Sequence, residues 1–217
     1  MAANTSETKY RIAVLDEEQA ERDNFINYFE DMFDVVEITK LVNIEELIDV
    51  IKSESIDGIA IDYKLKDHGS AFQFNGDYFF KELNQLLLDF PSFILTNDPD
   101  NAKKESPAIV PFFIIDKGRI SQGNSSLKDD VFKVIDIYKS NIKLNQDRLK
   151  ELIEIKKSTT LSPKLEQEYI NINLFLEKTT YSSGVPAASF YSTAIDEKIS
   201  KLLKSTQDLI NELSDND

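Results

Sequence analysis

Reactive side chains follow several short apolar runs in this sequence. Asp16 and Glu17 come directly after IAVL, Asp62 closes the run GIAI, Thr96 follows SFIL and Lys117 follows FFIID. Clustered carboxylates suit Mg²⁺, which prefers oxygen ligands, and a carboxylate beside such a metal can attack a phosphoryl group. A hydroxyl and an ammonium group nearby can then hold the transferred oxygens. The residue types therefore favour metal-assisted phosphoryl transfer.

The apolar runs alternate with amphipathic stretches over the first half of the chain. Because the runs are short and bounded by polar or turn residues, they suit strands buried on both faces. The predicted strands are 12–15, 35–42, 58–65, 92–98 and 111–116. The predicted helices between them are 19–32, 44–54 and 76–90. This alternation predicts an α/β domain with a five-stranded, parallel, doubly wound sheet of the flavodoxin-like kind.

In such a sheet, ligands bind beyond the carboxyl ends of the strands, near the switch in strand order. The reactive residues all follow strand ends, so they are expected to meet at this edge.

The second half of the chain has a different pattern, which predicts an all-α helical hairpin or three-helix bundle. Apolar residues recur about every 3.5 positions from Val131 to Leu152, with Asn145 as a polar interruption. A second helix is predicted from Pro163, and a third over 195–213 after a loop at 179–193. These seams favour packing within one chain over an intermolecular coiled coil, although Asn145 would also suit a register-fixing position in a homodimer.

The predicted organisation is a disordered N-terminus at 1–9, an α/β domain at 10–125 and a helical interaction module at 126–217. The net charge is −14, and neither half holds a concentrated basic patch, which argues against nucleic acid as a partner. No apolar run is long enough to span a bilayer, and the N-terminus does not resemble a signal peptide. The absence of cysteine fits a cytoplasmic protein, and His68 is the single histidine, which excludes a multi-histidine metal cage.

The ordered motifs VLDEE, AIDYKL, ILTND and IIDKG resemble those of bacterial response-regulator receiver domains over residues 10 to about 140. The segment FNGDYFFKEL is similar to the third helix of that family and the turn before it. The resemblance implies that Asp62 is the phosphoacceptor, Thr96 the switch hydroxyl and Lys117 the phosphate-binding lysine. It also implies that Mg²⁺ is held by Asp16, Glu17, Asp62 and the backbone carbonyl of Lys64.

The sequence departs from the receiver pattern at several positions. Gly118 follows the lysine where the family usually has proline, and Asn97 follows Thr96 where a small residue is usual. Ile114 and Ile115 occupy the stretch where the family commonly has an aromatic residue that rotates on activation. The loop between strand three and the next helix is long and contains His68, which is expected to be an ordinary loop residue. These departures concern the transmission of a signal more than the fold.

Two functions remain open at this stage. The first is a signalling regulator that takes a phosphoryl group on Asp62, from a phosphohistidine protein or a small phosphodonor, and relays it through the helices to a protein partner or homodimer. Any enzymatic activity would then be limited to self-phosphorylation and dephosphorylation. The second is a pseudo-receiver that acts as an adaptor subunit of a multi-protein complex, including a bacterial defence system.

Three further classes of protein fit the sequence less well. An Asp-nucleophile phosphatase is disfavoured because LDEEQ places Glu18 where that class has its second aspartate. A histidine-kinase dimerisation domain needs a histidine that 120–217 lacks. A winged-helix output needs strands and a basic helix, and neither is visible in the second half.

Overall fold

The computed structural model describes residues 9–41, 43–66 and 72–180. Five strands lie within these ranges: β1 (Arg11–Leu15), β2 (Asp34–Ile38), β3 (Gly58–Asp62), β4 (Ser92–Thr96) and β5 (Ile114–Asp116). The helices are α1 (Gln19–Phe29), α2 (Ile44–Ser53), α3 (Gly76–Leu86), α4 (Pro99–Glu105), α5 (Lys117–Ser121), α6 (Ser125–Ser158) and α7 (Pro163–Thr180). The N-terminal residues predicted to be disordered lie outside the described ranges except for Lys9, and so does His68.

All strand pairs are parallel, and the sheet order is β2-β1-β3-β4-β5. This arrangement confirms the prediction of a five-stranded parallel sheet with flanking helices. The order reverses at β1, whose carboxyl end lies beside that of β3 because Leu15 pairs with Ile61. The sheet therefore has its switch point between the strands that carry Asp16 and Asp62.

Alternation along the strands sends successive side chains to opposite faces of the sheet. On one face, Val14 and Ala60 join a core cluster that also contains Phe29 of α1 and Val131 and Ile135 of α6. On the other face, α3 packs on β3 and β4. The interior positions of β1, β3 and β4 are fully buried, as expected for central parallel strands.

The region around β5 differs from the sequence prediction. A strand was expected over 111–116, but Pro111–Phe113 forms a 3-10 helix and the strand begins at Ile114. Pro111 explains the late start, because proline has no N–H to donate to a strand ladder. Helix α4 was not predicted, although Asp98 accepts a hydrogen bond from Asn101 N at 3.0 Å and so caps it.

The chain divides between Ser140 and Asn141 into two compact units. Helix α6 begins in the first unit, where its early turns pack on the sheet, and ends in the second. In the second unit, Arg148 of α6 makes two hydrogen bonds to Glu168 of α7, at 2.7 and 3.1 Å. The side chain of Asn145 donates to the carbonyl of Asn141 in its own helix.

Helices α6 and α7 confirm the predicted helical second half. The predicted third helix, over 195–213, lies outside the described residues, as does the predicted loop beyond Thr180. None of the described helices has a stretch long and apolar enough to cross a membrane.

The start of α3 approaches the main chain of β3 unusually closely. Gly76 N donates a hydrogen bond to Tyr63 O at 3.1 Å. A β-carbon added at Gly76 would lie 1.9 Å from Asp62 O and 2.9 Å from Ile61 Cγ2. Because these neighbours are the backbone and a branched core side chain, no larger residue fits without moving the main chain of Asp62.

We expect Gly76→Ala to lower the free energy of unfolding by about 3 kcal/mol, because the methyl group must displace packed backbone. Urea denaturation of the full chain gives the measurement. Gly123→Ala is the control, since its φ of +68° adds backbone strain while its β-carbon meets nothing within 4 Å; the strain costs about 1 kcal/mol. Equal losses in the two variants would contradict the close approach at Gly76.

Candidate functional site

Three charged side chains meet at the carboxyl edge of the sheet. Lys117 Nζ lies 2.7 Å from Asp62 Oδ1 and 2.8 Å from Asp16 Oδ2. The side chain of Asp16 is 1% exposed, and those of Asp62 and Lys117 are each 9% exposed. The structure therefore brings the candidate acceptor, one candidate metal ligand and the candidate phosphate-binding lysine into direct contact.

The second oxygen of each aspartate is fixed by the turn that follows it. Asp16 Oδ1 accepts a hydrogen bond from Glu18 N at 2.9 Å. Asp62 Oδ2 accepts one from Lys64 N at 2.7 Å. Such bonds from a residue two positions on are typical of aspartate at turns. They hold both carboxylates in place at the ends of their strands, and they place Lys64 against the acceptor through its backbone.

Thr96 ends β4, the strand next to β3. Its neighbour Leu95 pairs with Asp62 in the sheet, so Thr96 lies one residue further toward the same edge. Thr96 is buried, and its hydroxyl oxygen accepts a hydrogen bond from Asp98 N at 3.0 Å. The hydroxyl is thus oriented by the turn into α4.

Lys117 is the first residue of α5, and Asp116 caps that helix by accepting from Gly118 N at 2.8 Å. The cap accounts for the Lys-Gly sequence at this position, because the Gly118 N–H is used where proline would have none. The described residues contain no cis peptide bond, so the Lys117–Gly118 link is trans.

Burial and ion pairing have opposite effects on the pKa of Asp62, and also on the pKa of Lys117. Burial raises the pKa of Asp62, and the neighbouring Lys117 ammonium only partly offsets that effect. Burial would lower the pKa of Lys117, but the carboxylates of Asp62 and Asp16 outweigh it and raise the pKa above its ordinary value. Lys117 is therefore a permanent cation at this edge.

Glu17 is the least satisfied acid of the site. Its Oε2 atom is buried and has no hydrogen-bond partner among the described residues. Burial, reinforced by the negative charges of Asp62 and Asp16, raises the pKa of Glu17 to about 7. The backbone N–H of Glu17 and the Lys117 ammonium stabilise the charged form only in part, so the negative charge of Glu17 is one that a bound cation would stabilise.

The side chains at this edge are of the types that bind Mg²⁺, but their positions in the structure do not form a metal site. The carboxylates of Asp16, Glu17 and Asp62 are suitable oxygen donors, and the unpartnered Glu17 oxygen favours a cation. Within the described ranges, however, no group of three or more acidic or histidine side chains is arranged to hold a metal ion. The Lys117 ammonium lies between two of the acids, so binding a metal requires it to shift.

Sequence reasoning missed a buried arginine behind this site. The side chain of Arg22 on α1 is 7% exposed; its Nη1 donates to Asp16 O and its Nε to Glu37 Oε2, each at 2.9 Å. The available signal was an arginine one helical turn after Glu18, on the face of α1 that turns toward the sheet. Arg22 links the end of β1 to β2.

The comparisons with known proteins show resemblance of fold only. No protein-family model matches the chain, and no curated protein sequence matches it significantly. A fusion protein that carries the yeast Spc42 trimeric coiled coil is 16% identical, over 69% of this chain and 92% of its own, with a TM-score of 0.49. An adenylate cyclase from Rhodopirellula baltica is 15% identical, over 63% and 96%, with a TM-score of 0.46. At these values neither resemblance informs function.

We expect the stability of the metal-free protein to fall as the pH rises from about 4.5 to about 7, the ordinary and the folded-state pKa of Glu17. The folded state retains this proton where the unfolded chain releases it, so higher pH favours unfolding. Glu17→Gln should flatten this slope, as measured by urea denaturation in EDTA across that range. The exposed neighbour variant Glu18→Gln is the control, and an unchanged slope in Glu17→Gln would contradict the assignment.

Proposed function

We propose that the chain is a receiver-like signalling regulator in which Asp62 accepts a phosphoryl group with the help of Mg²⁺. The helical module at 126–217 would relay the state of Asp62 to a protein partner or a second copy of the chain. The observation that carries the proposal is the contact of Asp62 with Lys117 at the switch point of the sheet, with Asp16 and Glu17 beside it.

The reaction requires one carboxylate oxygen of Asp62 to attack phosphorus. The bond between that oxygen and phosphorus forms while the bond from phosphorus to the leaving nitrogen or oxygen of the donor breaks. Asp62 Oδ2 accepts a hydrogen bond from Lys64 N, and Oδ1 pairs with Lys117. Oδ1 would become the nucleophile when Lys117 moves from it to a phosphoryl oxygen. Lys117 opposes the rise in the pKa of Asp62 that burial causes, and so favours the ionised carboxylate that nucleophilic attack requires.

The other residues of the site have supporting roles. Mg²⁺ would be held by Asp16, Glu17, Asp62 and the carbonyl of Lys64, and would supply positive charge against the incoming phosphoryl oxygens. Lys117, displaced from the modified carboxylate, would bind one of those oxygens. The Thr96 hydroxyl, on the adjacent strand, is the group expected to donate to another.

The direct test is incubation of the full chain with Mg²⁺ and acetyl phosphate, followed by intact-mass measurement. We expect the mass to rise by one phosphoryl group, because Asp62 lies beside the ammonium of Lys117 and next to the strand that ends in Thr96, and both groups can hold the product. Asp62→Asn should abolish the gain. Asp49→Asn, which changes an exposed aspartate of α2, is the matched control and should retain it. A wild-type protein that gains no mass would contradict the proposal.

Lys117→Met separates metal binding from stability. We expect the free energy of unfolding in metal-free buffer to fall by about 3 kcal/mol, because two buried carboxylates lose their cation. We also expect Mg²⁺ to bind at least about fivefold more tightly, because the competing ammonium is gone. Calorimetric Mg²⁺ titration of both proteins tests this, and weaker Mg²⁺ binding in the variant would show that Lys117 does not compete for the site.

A pseudo-receiver that acts as an adaptor subunit is the second candidate. The specific observation in its favour is that Lys117 forms ion pairs with both Asp16 and Asp62, which gives each carboxylate a cationic partner without metal or phosphate. If this candidate is correct, neither Mg²⁺ nor acetyl phosphate should change the protein in the mass and calorimetric experiments. Asp62→Ala should then leave its biological activity intact.

A further inference from the structure

Tyr63, the residue directly after the candidate acceptor, connects that strand end to two helices. Its backbone N donates to Leu95 O at 2.9 Å, and its carbonyl accepts from Gly76 N at 3.1 Å. The main chain beside Asp62 is therefore held by β4 on one side and by the start of α3 on the other. Both backbone groups of Tyr63 are used in these bonds, and its side chain contacts a third element, α4.

The side chain of Tyr63 reaches the end of α4. Its hydroxyl donates to Glu105 Oε2 at 3.0 Å and lies 3.4 Å from Ser106 Oγ. Tyr63 and Ser106 are buried, whereas Glu105 is exposed. Burial raises the pKa of Tyr63, so the phenol remains protonated and able to donate. A buried hydroxyl thus makes a charge-assisted hydrogen bond to the last residue of a short helix.

The network continues from α4 to α3. Ser106 Oγ donates to Asp77 Oδ2 at 3.2 Å, and Lys81 Nζ binds the same oxygen at 2.9 Å. Asp77 directly follows Gly76, the residue that contacts the backbone of Asp62. Tyr63 is therefore joined to α4 by its hydrogen bond to Glu105, and the next residue, Ser106, is joined to α3 by its hydrogen bond to Asp77.

We propose that Tyr63 is a positioning residue for Asp62, and that its hydroxyl couples the state of Asp62 to the end of α4. The inference rests on the proposed function, because it assigns Tyr63 a part in the reaction of Asp62. A phosphoryl group on Asp62 draws Lys117 and Lys64 into new contacts, and the adjoining backbone moves with them. Because Tyr63 is fixed to Glu105 and Ser106, that movement reaches the start of the 105–113 segment.

This coupling has a reciprocal consequence. If the state of Asp62 biases the end of α4, then the bonds at the end of α4 must bias the affinity of the Asp62 site for beryllofluoride by the same free energy. Because the Tyr63 hydroxyl positions the strand end that carries Asp62, its loss should also slow the reaction of Asp62, without removing any group that contacts the reacting atoms.

The test compares Tyr63→Phe with Tyr10→Phe, a matched variant whose lost hydroxyl bonds to Asp136 at 2.8 Å. We expect the rate of phosphorylation by acetyl phosphate at saturating Mg²⁺ to fall about tenfold in Tyr63→Phe, as for loss of a charge-assisted hydrogen bond. It should stay within about twofold in Tyr10→Phe. Beryllofluoride with Mg²⁺ should change amide hydrogen exchange over 105–113 in the wild type and in Tyr10→Phe, but not in Tyr63→Phe.

Each outcome decides between the two proposals. A wild type that responds to beryllofluoride and a Tyr63→Phe variant that matches it in rate and exchange would overturn the role of Tyr63 alone. A wild type that takes neither phosphate nor beryllofluoride would overturn the proposed function and this inference with it. If Tyr63→Phe does not fold, Glu105→Gln replaces it, since Glu105 is exposed; it should slow the reaction in the same direction, and an unchanged rate would overturn the inference.

Discussion

A buried ammonium group shared by two carboxylates is the interaction on which this edge of the sheet depends. Lys117 comes from the start of α5, Asp16 from the end of β1 and Asp62 from the end of β3, and all three are nearly inaccessible to solvent. Removing the ammonium would leave two buried carboxylates without their cation, at a cost of several kcal/mol, whereas removing one aspartate would leave Lys117 paired with the other. The ion pairs therefore require β1 and β3 to end, and α5 to begin, at the same edge of the sheet.

The same interaction sets the conditions for chemistry. In the described state Lys117 is the cation that Asp16 and Asp62 share, while Glu17 Oε2 has no hydrogen-bond partner among the described residues. A second cation and a phosphoryl group would change the distribution of charge, and Lys117 would have to exchange its carboxylate partner for a phosphoryl oxygen. The site thus has one arrangement in which Lys117 holds both aspartates without ligands, and a second that ligands would stabilise. The ligand-free arrangement would suit a pseudo-receiver, and the ligand-bound arrangement would suit a receiver that accepts phosphate.

Sequence patterns predicted the polar residues that follow the apolar runs, because each is a local feature, but β2, β3 and β4 end at Ile38, Asp62 and Thr96, earlier than the predicted 42, 65 and 98. Asp16, Asp62 and Lys117 could be placed at one edge once the parallel sheet was inferred. The bonds of Arg22 and Tyr63 could not be predicted, because they join side chains to partners on other elements whose spacing depends on helix packing. Local sequence patterns show which residues follow a strand, whereas side-chain contacts between elements depend on the tertiary structure.

We propose above that Asp62 is a phosphoacceptor whose carboxylate forms an ion pair with Lys117 until it is phosphorylated. A crystal structure of the full chain with Mg²⁺ and beryllofluoride tests it most directly. We expect beryllium bonded to Asp62, a metal beside Asp16, and Lys117 Nζ moved from the carboxylate to a fluorine. An unmodified Asp62 that retains its 2.7 Å contact with Lys117 at saturating ligand would contradict it.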